Sequence, residues 1–496
     1  MNERTQLRLE RRNSLTANIG ILGVGHKTYW AQFEGLKDKL FGKLTTFEAK
    51  VAAQGLKTVN FGMVDDSQSA YAVLPGLKAN DLDLLFIDML TYATSATFAP
   101  IARMLDLPIV LVALQPSAAM DYAHGEIFVQ LLNDDICSLP EFAGVSVRMG
   151  RRVPETIIGM LDGDPKVEEE IARWCRIASA VHDLRTARIG LMGHVLESMY
   201  DMHTDPALIT QSFGCHVVQT EPDEVLETFM TASEDEISEM SHKILSFFDT
   251  PNPVSDPVTR KLTDDDLRTA AHAAVALERF IDKRSLTGLA YYYEATEGSE
   301  MRRLVTNFIV GNSLLCAQGF PMCGEFDLKT CVAMLIMDRL GIGGSFAEFH
   351  PVDFNQNTVL VGHDGPHHIN IADGRPVLRS LTKYHGKPGA GASVEFKIKV
   401  GPITMLSISV GSDRRLKFVI AEGESIDFPI PPTGNTNTHG RFGSDIRKFL
   451  KRWLSEGPTH HFALGVGHHA HDIKRIADIF GIDSVIVTEG LERIEP

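Results

Sequence analysis

Through its first 185 or so residues the chain alternates short apolar runs with longer amphipathic stretches, and few folds accept that alternation. Residues 18–24, 58–63, 82–87 and 109–114 each read as a strand, followed by polar or glycine-bearing residues and a helix-length segment. That rhythm predicts βαβ units on a parallel sheet. A new strand at 187–192 opens a second series. There a helix over 264–283 is announced by Thr263 as N-cap and by Asp264, Asp265 and Asp266 in its first turn, and a strand at 288–292 follows it. After about Leu340 the texture changes. Runs at 359–361, 394–400, 404–410 and 417–421, separated by Gly, Pro, Asn and Asp, predict antiparallel strands. A helix over 471–480 and a strand at 484–487 come last. The expected architecture is α/β: two Rossmann-like parallel-sheet domains (1–185 and 186–340), then a β-rich, antiparallel barrel-like C-terminal domain (341–496). The 496 residues suit about three domains of this kind.

Composition narrows the partners. Asp and Glu number 64 against 48 Lys and Arg, a formal charge of −16, which argues against a dedicated nucleic-acid binder or an anionic membrane surface. The charged N-terminus carries no apolar stretch of a secretory leader, and no run reaches the roughly 18 apolar residues of a membrane span. The six cysteines form no C-x-x-C pair and read as buried, reduced thiols. A cytoplasmic protein is the expectation.

Gly23-Val24-Gly25 follows the first strand, but position 28 is Thr where G-x-G-x-x-G needs its third glycine, so a tight turn is the reading rather than a dinucleotide site. The histidines carry more. Over half of the 19 follow residue 349, in the β-rich region, where strands can aim imidazoles. Two glutamates stand just ahead in apolar surroundings, Glu325 in Met-Cys-Gly-Glu-Phe-Asp and Glu348 in Ser-Phe-Ala-Glu-Phe-His. Each is either a satisfied part of the core or a site residue. Two Glu with two His suit a mixed O/N site for Mn²⁺, Fe²⁺, Co²⁺ or Zn²⁺. Other groups read as structural: Tyr291–Tyr293 as packing, Met334 and Met337 as core, Glu168, Glu169 and Glu170 as a solvated helix face, and His468, His469 and His471 as a turn and the start of a helix.

Several stretches together resemble the L-arabinose isomerase-like sugar isomerases, the group that includes L-fucose isomerase. Cys323-Gly324-Glu325-Phe326-Asp327-Leu328-Lys329-Thr330 is similar to that family's G-E-G-D-W-K-T segment with its first catalytic glutamate, and Ser345-Phe346-Ala347-Glu348 to S-F-M-E with its second. Val359-Leu360-Val361-Gly362-His363 resembles the strand and turn bearing a metal-binding histidine. Gly457-Pro458-Thr459-His460-His461 resembles G-G-A-H-H, and Tyr122-Ala123-His124-Gly125 resembles T-A-H-G, a substrate-contacting loop. The resemblance runs over nearly the whole chain. It implies an aldose–ketose isomerase with Glu325 and Glu348 catalytic, and Glu325, Glu348, His363 and His461 around Mn²⁺ or another divalent cation (Co²⁺, Fe²⁺ or Zn²⁺). His460 would sit behind this set or face away. It also implies a sugar as the small-molecule partner, substrate contacts from His124, His26 and Lys27, and a homotrimer or homohexamer whose subunits share active sites.

The chain departs from the family where a sugar's distal end would be recognised. Glu348 is followed by Phe349-His350-Pro351-Val352 in place of the family's E-D-Y-T-Y, and the segment to His363 is two residues shorter, so Asp364 replaces or joins His363 as a candidate ligand. The turn at 362–366 and the loop Gly25-His26-Lys27-Thr28-Tyr29-Trp30 also differ. A pentose or related sugar other than L-arabinose is the expectation. Residue types alone leave open a non-catalytic sugar-binding protein or another metal-dependent enzyme with a Glu/His site.

Overall fold

The computed structural model describes residues 9–250, 262–365, 367–380, 383–384, 387–388, 391–431 and 435–491; Pro366 and the chain before residue 9 lie outside them. The chain divides into two compact units, Leu15–Asp183 and a second formed by Met1–Ser14 with Leu184–Pro496.

Leu15–Asp183 is built on a five-stranded, all-parallel sheet. Its strands β1 (Asn18–Val24), β2 (Lys57–Val64), β3 (Leu84–Met89), β4 (Ile109–Gln115) and β5 (Glu155–Met160) lie in the order β2-β1-β3-β4-β5. The first four lie where the apolar runs predict them. The fifth, Glu-Thr-Ile-Ile-Gly-Met, is a largely exposed edge strand that is not among those predicted from the sequence. β3 is buried along its whole length, including Asp88.

The second unit opens with a four-stranded parallel sheet, order β7-β6-β8-β9, from β6 (Arg188–Met192), β7 (His216–Thr220), β8 (Gly288–Tyr291) and β9 (Met322–Cys323). Helix α1 (Asp264–Arg284) starts at the Thr263 cap, whose hydroxyl accepts from the Asp266 N–H (3.1 Å) while the Asp266 carboxylate accepts from the Thr263 N–H (3.0 Å). From β9 the chain enters α2 (Leu328–Arg339), every residue of which is buried, Met334 and Met337 included.

Six antiparallel strands then close on themselves: β10 (Gly343–Asp353), β11 (Thr358–His363), β12 (Gly401–Val410), β13 (Leu416–Ile426), β14 (Thr436–Arg441) and β15 (Phe462–Val466), in the order β12-β15-β10-β11-β14-β13, with β13 returning to β12. Closure leaves the barrel no free edge. A short strand β16 (Asp483–Ile486) adds parallel to β13 outside it. The architecture is therefore parallel-sheet α/β followed by a closed antiparallel barrel. The run at 394–400 is a ladder strand only over Ala392–Glu395, paired with Val377–Ser380; beyond it Lys397 and Ile398 make isolated bridges. His469 caps the helix Ala470–Ile479, as the turn reading expects. All six cysteines are free; five are buried, but Cys137 is exposed, against the expectation of six buried thiols. Among the described residues no helix is long and apolar enough to cross a membrane.

Candidate active site

Glu325 stands in the loop between β9 and α2, and the backbone there is unusual. Glu325 (φ 58°) and the next residue, Phe326 (φ 62°), both adopt the left-handed conformation that side chains resist, a cost of about 1–2 kcal/mol each. Their neighbours hold them. The Phe326 N–H donates to the Tyr291 carbonyl at the end of β8 (2.8 Å). Asp327 caps α2, accepting from the Thr330 N–H (3.1 Å) and hydroxyl (2.8 Å). Strain maintained by surrounding bonds is common where a side chain must be aimed.

Glu348 comes from β10, opposite Gly362 of β11, and His363 ends β11. Gly362 is required: a Cβ there would lie 2.0 Å from the Thr436 carbonyl oxygen of the neighbouring β14. His461 stands immediately before β15. The buried ring of Phe346 packs against both imidazoles, 4.4 Å from His363 and 4.3 Å from His461 between centroids.

These side chains converge. One Glu325 carboxylate oxygen lies 3.8 Å from His363 Nε2 and the other 3.4 Å from His461 Nε2. Glu325, His363 and His461 each offer a ligand atom within 4.8 Å of the others; Glu348, His460 and His461 form a second such group sharing His461. Their tautomers are fixed from behind. His461 Nδ1 donates to Asp327 Oδ2 (3.1 Å), and His363 Nδ1 donates to the Asp364 carbonyl (2.8 Å). Both leave the Nε2 lone pair toward the glutamates. His461 is fully buried and its Nε2 has no hydrogen-bond partner. A buried, orphaned acceptor beside one carboxylate and backed by a second is an arrangement that suits a divalent cation. The residues fit such an ion.

Burial pushes the Glu325 carboxyl up, His461 opposing and Glu348 adding to it. For Glu348 burial is outweighed by the His460 hydrogen bond and by the neighbouring imidazoles of His363 and His350, which bring it down to about 2. His363 is held down at about 3 by burial and by His461, so its imidazole is neutral at physiological pH. His460 moves up through its bond to Glu348.

His460 does not turn away: its Nε2 donates to Glu348 Oε2 (2.6 Å) and its N–H to Asp201 Oδ2 (2.7 Å). The Asp364 carboxylate accepts from the Asn435 amide, outside both ligand groups. His26, Lys27 and His124 belong to the other compact unit. His26 packs edge-on against Tyr29 and Tyr92, Lys27 pairs with Asp66 (2.6 Å), and His124 pairs with Asp121 (3.1 Å), both residues being exposed. Two participants have no candidate role from the sequence. Asp327 is fully buried and orients His461, and Lys329, also buried, donates to Thr204 Oγ1 (2.7 Å) and the Asp201 carbonyl (3.0 Å). An Asp two residues after the site Glu and at a helix start was the available signal, but it reads equally as a cap.

Residues 376–487 match the family model described as L-fucose isomerase, C-terminal domain. The chain is 22% identical to an L-arabinose isomerase of Tolumonas auensis over 412 residues, 81% of this chain and 80% of that protein. It is 20% identical to that of Aeromonas hydrophila over 413 residues (81% and 80%) and 22% identical to that of Anoxybacillus flavithermus over 362 (70% and 69%). With this fold, those likenesses define an enzyme of the aldose–ketose isomerase class. The chain is similar to the L-arabinose isomerases over most of its length and to L-fucose isomerase in its C-terminal part.

Proposed function

We propose that the chain is a divalent-metal-dependent aldose–ketose isomerase acting on a pentose or related sugar, with Glu325, Glu348, His363 and His461 holding the ion. Mn²⁺ suits this mixed carboxylate–imidazole set best, Co²⁺, Fe²⁺ and Zn²⁺ being the alternatives. The observation that carries the reading is the buried His461 Nε2, without a partner and facing Glu325. The ion, when bound, supplies Lewis-acid polarisation of the sugar carbonyl.

The protein's own groups move the protons. Interconversion shifts one proton between C1 and C2 through a cis-enediol and a second between the two oxygens. Glu325, whose carboxyl is raised by burial, is the base that takes the carbon-bound proton and returns it to the adjacent carbon. Glu348, ionised and held by His460, relays the hydroxyl proton. Phe346 and the barrel wall keep water from the enediol.

The substrate in this reading is a sugar other than L-arabinose, because the residues after Glu348, the turn after Gly362 and the Lys27/Trp30 loop depart from the family pattern while Glu325, Glu348, His363 and His461 keep it. A site built around particular hydroxyls rejects analogues that leave its polar groups unpaired. His26, Lys27 and His124 contact that sugar in a neighbouring subunit of a homotrimer or homohexamer in the cytoplasm. The test is metal analysis of the purified protein, then ketose formation from a panel of pentoses, hexoses and deoxy sugars. Turnover that needs the ion and favours one sugar supports the reading. Sugar binding without turnover makes the protein a binding module. L-arabinose as clearly the best substrate removes the altered-pocket part, and full activity in a monomer removes the shared site.

A further inference from the structure

A second built site lies at the other end of α2. That helix spans about 18 Å from its Asp327 cap, and at its last turn a cavity of about 300 Å³ is lined by Arg11, Asp338, His368, Asn370, Ile371 and Lys399 among others. The Asp338 carboxylate is buried and takes bonds from three cationic or basic groups: Arg11 NH2 (2.5 Å), Arg339 NH1 and His368 Nε2 (3.2 Å). Burial alone would raise this carboxyl, but the His368 bond and the two guanidinium charges hold it well below the usual range. With Lys399, three fixed positive charges face one negative one, a local excess of two before His368 is counted.

The site is held rigidly. The Arg12 N–H donates to the Gln318 carbonyl (3.0 Å) and the Arg12 side chain pairs with Asp282 (2.5 Å), which anchors the segment carrying Arg11. Gly319 lets the Arg11 guanidinium lie against the backbone, since a Cβ there would sit 2.4 Å from Arg11 NH2. Two kinds of group remain for a ligand. Arg11 and Lys399 are half-buried cations, and Lys399 Nζ donates to the Asn370 carbonyl (2.9 Å) with further N–H groups to give. His368 is 4% exposed; its Nε2–H is committed to Asp338, and its buried Nδ1 has no partner. Asn370 gives its amide N–H to the Ala317 carbonyl (3.0 Å), which leaves its Oδ1 as an acceptor.

We propose that this cavity binds a small phosphate monoester with a polyol or sugar tail. Arg11 and Lys399 take the phosphoryl oxygens, and His368 Nδ1 and Asn370 Oδ1 accept from hydroxyls of the tail. Cations alone would suit any anion. The two acceptors, and a volume at the small end of the range for organic ligands, select a phosphorylated polyol.

The test is calorimetric titration and thermal unfolding of the full-length, metal-loaded protein with glycerol 3-phosphate, inorganic phosphate and glycerol at fixed ionic strength. Glycerol 3-phosphate should bind saturably and raise the Tm, inorganic phosphate should bind more weakly, and glycerol should do neither. Lys399→Gln removes a charge-assisted bond and should weaken the ester about tenfold or more, with the isomerase reaction unchanged. Arg11→Gln should do the same to binding, and Lys448→Gln, at an exposed position elsewhere, should do nothing. Unaltered binding in Lys399→Gln and Arg11→Gln places the ester elsewhere and overturns the proposal. So does equal binding of the ester and inorganic phosphate, or the absence of saturable binding.

Discussion

The Lys43 ammonium in Leu15–Asp183 is buried and gives its three donors to three acceptors: the carbonyls of Leu90 (2.9 Å) and Leu132 (3.1 Å) and Asp135 Oδ1 (2.5 Å). In the second unit the group of half-buried Glu325 with buried His363 and His461 leaves His461 Nε2 without a partner and rests on two consecutive left-handed residues. Both units thus take ionisable groups out of water, at a cost that only well-placed partners offset. The first cluster saturates its cation, though Asp135 Oδ2 has no bond of its own, and contributes to the fold. The second keeps an acceptor open and stores backbone strain, which is a use of stability rather than a source of it.

The strongest way to break this contrast is Glu325→Gln. The variant keeps the shape of the side chain and removes its proton-accepting ability. Isomerisation should fall by about 10²–10⁴-fold, while the circular dichroism spectrum and Tm stay near those of the wild type. A variant with wild-type kcat would take the base assignment away.

Lys43→Met is the opposite case. It strands Asp135 beside Asp88, and breaking a buried pair in this way costs about 3–5 kcal/mol. Urea unfolding followed in the Leu15–Asp183 unit should register that loss, and the divalent affinity of the protein should not move. Loss of metal binding with stability intact would mean that the two clusters have been read the wrong way round.

How far the sequence foretells this difference depends on which property is asked for. The strands of the first sheet are legible because a parallel strand covered on both faces must be apolar throughout, and β1 lies at the residues its apolar run marks. Glu325, Glu348, His363 and His461 are legible as residue types in a motif. Their geometry is not: nothing in Cys-Gly-Glu-Phe-Asp announces φ values of 58° and 62°, which tertiary bonds from Tyr291 and Asp327 enforce. Strand β14, Thr-Asn-Thr-His-Gly-Arg, is equally silent, since its side chains are polar although five of the six residues are buried. There a polar ladder does the work of an apolar face: the Thr438 and Ser425 hydroxyls share a hydrogen bond (2.5 Å), and His439 bonds the Pro429 carbonyl (3.0 Å). Composition-based reading cannot see burial that is satisfied pairwise across a barrel.

Asp327→Asn sharpens the contrast within the site itself. The amide can still cap α2 through its carbonyl oxygen, but it no longer supplies the negative charge that holds His461 with Nδ1 protonated. Divalent affinity should drop by about 10–100-fold, the usual effect of losing a carboxylate behind a histidine ligand. Competition titration against a chelating dye measures it. The Tm of the metal-free variant should fall less than that of Lys43→Met. An unchanged affinity would reduce Asp327 to a helix cap.

The smallest effect is expected from Asp88→Asn, and its sign is the informative part. Burial pushes the Asp88 carboxyl from its ordinary 3.8 up to about 7, with Lys43 pulling it down and Asp135 pushing it further up. Between these pH values the folded protein holds a proton that the unfolded chain has released. The contribution of this group to stability is therefore complete below about pH 3.8, is lost as pH rises toward 7, and is constant above that. Asn does not titrate, so the unfolding free energy of the wild type relative to Asp88→Asn should decline from about pH 4 to about pH 7 and then level off. Asp135, raised to about 6 by burial against the pull of Lys43, is present in both proteins, so its own share largely cancels in the difference. Unfolding curves at several pH values supply the comparison. A difference that instead grows with pH would mean that Lys43 keeps Asp88 ionised in the folded state, and that this cluster is a triad of charges rather than an ion pair beside a neutral acid.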